Sequence, residues 1–204
     1  MRLIIASNNA GKKAELARIL GGLGFGIVTA AELGIIPPEP EETGATFAEN
    51  ALIKARAFME ASGLPAIADD SGLCVDALGG APGVHTARFA GPGATDGTNI
   101  DKLLTVLEGV PEGKRGAHYV CHITCLFPDG RQIDAEGRCG GFIGTRRLGT
   151  GGFGYDPVFM LSPGVSMAML PPDEKDALSH RGRALSALAE QLRDIQPLLQ
   201  RPHE

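Results

Sequence analysis

From Ala117 to Phe127 every second residue is apolar: Ala117, Tyr119, Cys121, Ile123, Cys125 and Phe127. A period of two puts one row of side chains on one face of a strand, so this stretch requires a sheet with a core against it. Pro128-Asp129-Gly130 reads as a turn and Gln132 to Gly137 as the returning strand of an antiparallel hairpin. The same geometry removes two tempting ligand pairs. Residues four apart on a strand are separated by about 13 Å, so Cys121 with Cys125 cannot share a metal or a disulfide, nor His118 with His122 a metal. Cys74 and Cys139 add no CxxC pair, and all four cysteines are expected as free thiols.

Elsewhere the apolar spacing changes to that of helices. Residues 2 to 6 form a short apolar run. Ser-Asn-Asn-Ala-Gly-Lys follows, and then Leu16, Ile19, Leu20 and Leu23 recur at helical spacing before Gly24. That is strand, polar turn, helix. A second strand is expected over Gly26 to Ala30, and Pro37 to Gly44 can only be an acidic loop. Thr46 and Glu49 fit a capping box for a helix to about Ser62, with Asn50 and Lys54 on one of its faces. Ala66-Ile67-Ala68 leads into Asp69-Asp70-Ser71-Gly72, which places two acids at a strand end before Leu73 to Val75 resume. Residues 79 to 97 read as a long loop, 98 to 107 as a helix and 158 to 161 as a strand. A last helix carries Leu185, Leu188, Leu192 and Ile195, with Ser179 to Gly182 just before it. Alternating strands and helices followed by a hairpin predict a mixed α/β fold, with a second lobe around residues 110 to 150.

Charge and composition limit the function. Nineteen basic against 24 acidic residues leave a net charge of −5, which disfavours a nucleic-acid partner needing a broad basic footprint. The chain has no apolar run long enough for a membrane span and no signal-peptide pattern, so no membrane partner and a cytoplasmic location are expected. With 29 glycines among 204 residues, many tight turns are expected around the functional surface.

Four polar clusters can carry chemistry. Gly11 and Lys12 between a strand and a helix start can hold phosphate through free backbone N–H groups and an ammonium, without Walker A spacing; a plain helix cap fits equally. Asp69 and Asp70 suit Mg²⁺, with another oxygen from Glu41 or Glu42 if the acidic loop folds over them; a turn and a solvated loop are the plain alternatives. Phe153-Gly154-Tyr155-Asp156 offers a stacking face and an acceptor to a nucleobase, though Phe153 alone fits core packing as well. His180 and Arg181 at a helix entrance can donate to a keto oxygen or a phosphate, or simply cap the helix.

Taken jointly these pieces resemble the inosine triphosphate pyrophosphatase family, the XTP/dITP diphosphatases. The resemblance runs through Ser7 to Lys12, Glu41-Glu42-Thr43-Gly44, Phe47-Ala48-Glu49-Asn50-Ala51 and Ala68 to Leu73. It continues through Gly80 to Val84, Ala87-Arg88-Phe89, Gly152 to Pro157, Glu174-Lys175 and Ser179 to Gly182, in order along nearly the whole chain. It implies a mixed, elongated central sheet with flanking helices and two lobes with the active-site cleft between them, forming one enzyme domain over residues 1–204 that pairs as a homodimer.

The implied reaction is Mg²⁺-dependent hydrolysis of dITP, ITP or XTP between the α and β phosphates, giving monophosphate and pyrophosphate. On this resemblance Asp70 is the catalytic base, and Glu41 and Asp70 hold the metal. Ser7, Asn8, Asn9, Ala10, Gly11 and Lys12 bind the triphosphate. Ser71, Phe153, Gly154, Tyr155, Asp156, Lys175, His180 and Arg181 line the substrate site, and Lys54 and Asp69 support it. Met169 stands where the family commonly has an acid. A nucleotide-sensing module without turnover is the alternative of another class, and the retained acid pair with its lysines and arginine speaks against it.

Overall fold

The computed structural model describes residues 1–7 and 10–199. Its centre is one seven-stranded sheet in the order β2-β1-β3-β4-β5-β6-β7. β1 (Arg2–Ile5) pairs in parallel with β2 (Gly26–Val28) and with β3 (Ala66–Val75). β4 (Gly116–Leu126) and β5 (Gln132–Ile143) are neighbours joined by the expected turn, where the Phe127 N–H donates to the Arg131 carbonyl at 2.9 Å. β6 (Phe159–Ser162) pairs antiparallel with β5 and with β7 (Val165–Ser166). Parallel and antiparallel ladders together make the mixed sheet that the alternation of elements predicts.

The chain divides into two compact units, each discontinuous in sequence. One consists of Met1–Asp70, His122–Gly137 and the chain from Arg183; the other of Ser71–Cys121 and Arg138–Gly182. The boundary differs from a lobe at 110 to 150 because β3, β4 and β5 are each long enough to take part in both units, so the hairpin tip at 122–137 belongs with the termini. In the first unit, α1 (Ala10–Gly21) and α2 (Phe47–Ser62) accompany the parallel strands, with Phe58 of α2 packed beside Ile4 and Ala66. α5 (His180–Leu199) buries Leu185, Leu188 and Leu192, the row seen in the sequence. In the second unit, α3 (Asp96–Val106) lays Ile100 and Leu103 against Leu73, Val75, Tyr119, Ile143 and Phe159.

Two further differences concern the chemistry. β3 runs unbroken through Asp69 and Asp70, so the acids are mid-strand rather than at a strand end. A short helix, α4 (Pro172–Leu178), precedes α5, and His180 and Arg181 stand in the first turn of α5. Proline at its first position and acids at Asp173 and Glu174 are start signals for α4, but seven residues carry no apolar period to mark a helix. Among the described residues no helix is long and apolar enough to cross a membrane.

Candidate active site

The first unit gathers its functional side chains on α2. The Thr46 hydroxyl accepts from the Glu49 N–H at 3.2 Å while the Glu49 carboxylate accepts from the Thr46 N–H at 3.2 Å, so the capping box fixes where the helix starts. Asn50 and Lys54, one turn apart, then face β3. Asn50 Nδ2 donates to Asp70 Oδ2 at 3.2 Å and Lys54 Nζ to Asp70 Oδ1 at 3.0 Å. Lys54 Nζ also lies 3.0 Å from Glu42 Oε1, and the Gly44 N–H donates to Asn50 Oδ1 at 2.8 Å. The acidic loop and the strand acid are thus held by the same two side chains.

Two carboxylates share one ammonium, and Asp70 and Lys54 are both perturbed, the first mainly by burial. Burial is the largest influence on Asp70 and raises its pKa above the ordinary 3.8; Lys54 opposes this, and the charge of Glu42 adds to it. Burial works against the Lys54 ammonium, but Asp70 and Glu42 outweigh it and its pKa is raised as well. Glu41 is exposed, and the acid that meets Lys54 is its neighbour Glu42. Asp69, half-buried, falls on the opposite face of β3 from Asp70 by strand alternation.

The phosphate-turn candidates are placed in part. Ser7 is half-buried two residues beyond β1. Asn8 and Asn9 lie outside the described residues, and of Ala10, Gly11 and Lys12 the structure describes their place in the first turn of α1 but not their side chains. Lys13 is committed to an ion pair with Glu32.

The second unit builds a different surface. Phe153 is 59% exposed, with Lys175 Nζ 4.4 Å and Arg181 Cζ 5.8 Å from its ring centroid. Beneath it Asp156 is buried and accepts from the Phe153 N–H at 2.9 Å, from Lys175 Nζ and, at 3.4 Å, from the Tyr119 hydroxyl. Burial and then the Asp156 charge push the Tyr119 phenol well above its usual pKa, which keeps it a proton donor. The Tyr119 ring stacks on His180 with centroids 4.7 Å apart. Arg181 Nη2 reaches Ser71 Oγ at 3.4 Å. The Gly154 N–H donates to Asp96 at 2.7 Å, and the Tyr155 hydroxyl to the Thr86 carbonyl at 2.8 Å. Burial raises the Tyr155 pKa to about 12. The 153–156 segment is therefore anchored from below, leaving an aromatic face flanked by two cations.

Glycine is required at two points of this cluster. A Cβ on Gly152, at φ +74°, would lie 2.1 Å from Asp156 Oδ2 and 3.0 Å from Lys175 Nζ. One on Gly182 would lie 1.8 Å from the Asp176 carbonyl oxygen, where the Gly182 N–H is bonded to the Ser179 hydroxyl at 3.0 Å. Gly152→Ala is expected to pull Asp156 from Phe153 and Lys175. A thermal melt would register at least the roughly 1–2 kcal/mol of left-handed strain. An unchanged melting temperature would show that the segment tolerates displacement.

Sequence reasoning brought Asp70, Lys54, Phe153, Asp156, Lys175, His180 and Arg181 to notice. It missed Tyr119, Thr86 and Asp96, whose polar contacts are made across 37, 69 and 58 residues. The alternation marks Tyr119 as core without revealing what its hydroxyl meets. Met169, 51% exposed, stands close enough to Gly149 that a Cβ there would lie 2.9 Å from its Cγ.

Known proteins are similar to this chain along most of its length. The model of the Ham1 family matches residues 3–191. A protein of Methylococcus capsulatus named dITP/XTP pyrophosphatase is 56% identical over 197 residues, 95% of this chain and 97% of that one. One of the same name from Escherichia coli O157:H7 is 47% identical over 196 residues, 95% and 98% of the two chains. The solved structure of a HAM1 protein from Coxiella burnetii has a TM-score of 0.88 at 41% identity, covering 95% of this chain and 99% of that one. A structure titled nucleoside-triphosphatase / dITP/XTP pyrophosphatase from Mycobacterium abscessus has a TM-score of 0.78 at 44% identity, with 94% and 100% covered. A family model that spans residues 3–191 and relatives 41–56% identical over about 95% of the chain settle the assignment: the chain belongs to the Ham1 family.

Proposed function

We propose that the chain hydrolyses non-standard purine nucleoside triphosphates, dITP, ITP and XTP, to the monophosphate and pyrophosphate, keeping aberrant bases out of nucleic acid. The observation that carries this reading is the Asp70 cluster, where a half-buried carboxylate of raised pKa is oriented by an amide and an ammonium. The names of the relatives support the substrate class.

The donor set of the first unit fits a hard divalent cation. Glu42 and Asp70 present carboxylate oxygens 3.0 Å from one ammonium nitrogen, so both already face a single positive charge. Mg²⁺ is commonly held by one or two carboxylates together with substrate phosphates and water, and carboxylates from the acidic loop and from β3 can supply that number. We assign its ligands to Asp70 and to the acidic loop, Glu41 with Glu42 beside it. When bound, the ion supplies charge neutralisation for the phosphate oxygens.

The residues of the chain divide the remaining work. Asp70 accepts one proton from the attacking water as the water oxygen bonds to the α phosphorus and the bond from that phosphorus to the bridging oxygen breaks. The pyrophosphate departs with the bridging oxygen and its electron pair. Burial raises the basicity of Asp70, the direction a general base needs. Lys54 balances the carboxylate charge, while Ser7 to Lys12 hold the triphosphate through helix-start N–H groups. Phe153 stacks on the base, and His180 and Arg181 donate to the 6-keto oxygen. An amino group in its place leaves a donor unpaired. Gly154, Tyr155, Asp156, Lys175 and Ser71 shape that surface, and Asp69 supports β3. Residues 1–204 act as one two-lobed enzyme, cytoplasmic and homodimeric; light scattering at a mass of two chains tests the last point.

The function is tested by incubating dITP, XTP, dGTP and ATP with Mg²⁺ and quantifying each product. Consumption of dITP and XTP with dGTP and ATP nearly untouched is expected; equal consumption of all four would replace selective cleansing by a general pyrophosphatase. Arg181→Ala should lower kcat/KM for dITP roughly 10- to 100-fold and narrow its ratio to dATP, the size of a lost charged hydrogen bond. An unchanged ratio would remove Arg181 from base recognition.

A further inference from the structure

Asn50 is 1% exposed and uncharged, yet both ends of its amide are engaged. Its Oδ1 accepts from the Gly44 N–H at 2.8 Å and its Nδ2 donates to Asp70 Oδ2 at 3.2 Å. One turn later Lys54 repeats the pattern, with Nζ 3.0 Å from Asp70 Oδ1 and 3.0 Å from Glu42 Oε1. The face of α2 thus carries two rungs, each joined to the strand acid on one side and to the acidic loop on the other. The rungs differ in kind. An ammonium holds its carboxylates by charge, without a fixed direction, and any other cation competes for them. An amide is directional and neutral, so it sets position without altering the charge of the cluster. The loop comes as near to α2 as glycine permits: a Cβ on Gly44 would lie 2.6 Å from Asn50 Oδ1 and 2.7 Å from Glu49 Cβ.

We propose that Asn50 is a positioning residue that fixes the Glu42-bearing loop against Asp70 and orients the Asp70 carboxylate. The proposal rests on the catalytic role given to Asp70 above. Asparagine is singled out by the two contacts, because aspartate can accept from Gly44 but cannot donate to Asp70 when ionised, and leucine can do neither.

The test compares Asn50→Asp, Asn50→Leu and Gly44→Ala. Hydrogen exchange of the residue 44 amide is read by NMR in the metal-free chain, and kcat and KM with dITP are measured per folded enzyme. Asn50→Asp should keep the Gly44 amide protected within about threefold while kcat falls roughly 30-fold or more and KM moves less than about threefold. Asn50→Leu should lose both protection, by about tenfold or more, and kcat. Gly44→Ala keeps Asn50 beside Asp70 but displaces the loop, so the Mg²⁺ concentration for half activity should rise roughly tenfold with a smaller change in kcat.

Wild-type kcat in Asn50→Asp would overturn the orienting role, and retained protection in Asn50→Leu would overturn the loop tie. A fall in melting temperature alone, with kcat and KM of the folded fraction unchanged in every variant, would reduce Asn50 to a packing residue and overturn the proposal. If wild-type protein leaves dITP untouched, the function assigned above fails, whereas the exchange measurement still reads the tie between Asn50 and the loop.

Discussion

Asp70→Asn is expected to remove turnover while leaving nucleotide binding. Asparagine keeps the shape of the side chain but cannot take a proton from water, and removing a general base costs about 10²–10⁴-fold in kcat. Calorimetry with dITP in metal-free buffer should give a dissociation constant within about tenfold of wild type, since the phosphate and base contacts made without the ion remain. The same variant reads the pKa of Asp70. Its carboxyl is raised above 3.8 in the folded chain, so the native state holds this proton to higher pH than the unfolded state does. Stability from this group is therefore present at low pH and is lost as pH rises from 3.8 through the folded value. In metal-free buffer the stability difference between wild type and Asp70→Asn should fall across that window and level off above it. A flat difference would mean that burial does not perturb Asp70.

Lys54→Met should be the most destabilising substitution in this cluster. The side chains of Lys54 and Asp70 are 16% and 12% exposed and that of Glu42 is 31% exposed, so the change leaves two largely sheltered carboxylates facing one another. Breaking a fully buried pair costs about 3–5 kcal/mol, and the partial exposure of Lys54, Asp70 and Glu42 makes the lower end the upper bound here. For a chain of this size that bound of about 3 kcal/mol corresponds to roughly 6–12 °C in Tm. Mg²⁺ should restore part of the loss, stabilising the variant more than wild type, because the two acids then have another cation to share. Equal Mg²⁺ shifts in both proteins would separate the acids from metal binding. In wild type the contribution of Lys54 is present below 10.5 and is lost as pH rises through its raised folded pKa.

What could be read from sequence follows from how local each signal is. The capping box at Thr46 and Glu49 and the hairpin turn at 128–130 are made by residues within four positions of one another, and both appear where the pattern puts them. The path of β3 through Asp69 and Asp70 is not local. Aspartate is a poor strand residue, and Asp70 is held there by Asn50 and Lys54, 20 and 16 residues away on α2. Which of Glu41 and Glu42 turns inward has no periodic signal either, since a proline-rich loop has no repeat to assign faces. The clustering of Phe153, Lys175 and Arg181 depends on α4 and α5 returning to the glycine-rich segment. Residue types and the family resemblance anticipated its members, whereas only the folded chain shows that Asp156 is spent underneath them on Phe153, Tyr119 and Lys175.

The most direct measurement is hydrolysis of dITP by the wild-type chain in ¹⁸O-labelled water with Mg²⁺, with every phosphorus-containing product weighed by mass spectrometry. The account predicts dIMP and pyrophosphate in equal amounts, a single labelled oxygen in the dIMP, none in the pyrophosphate, and no orthophosphate. Orthophosphate with dIDP would show that another bond is cut, and saturable binding without any product would make the chain a nucleotide sensor.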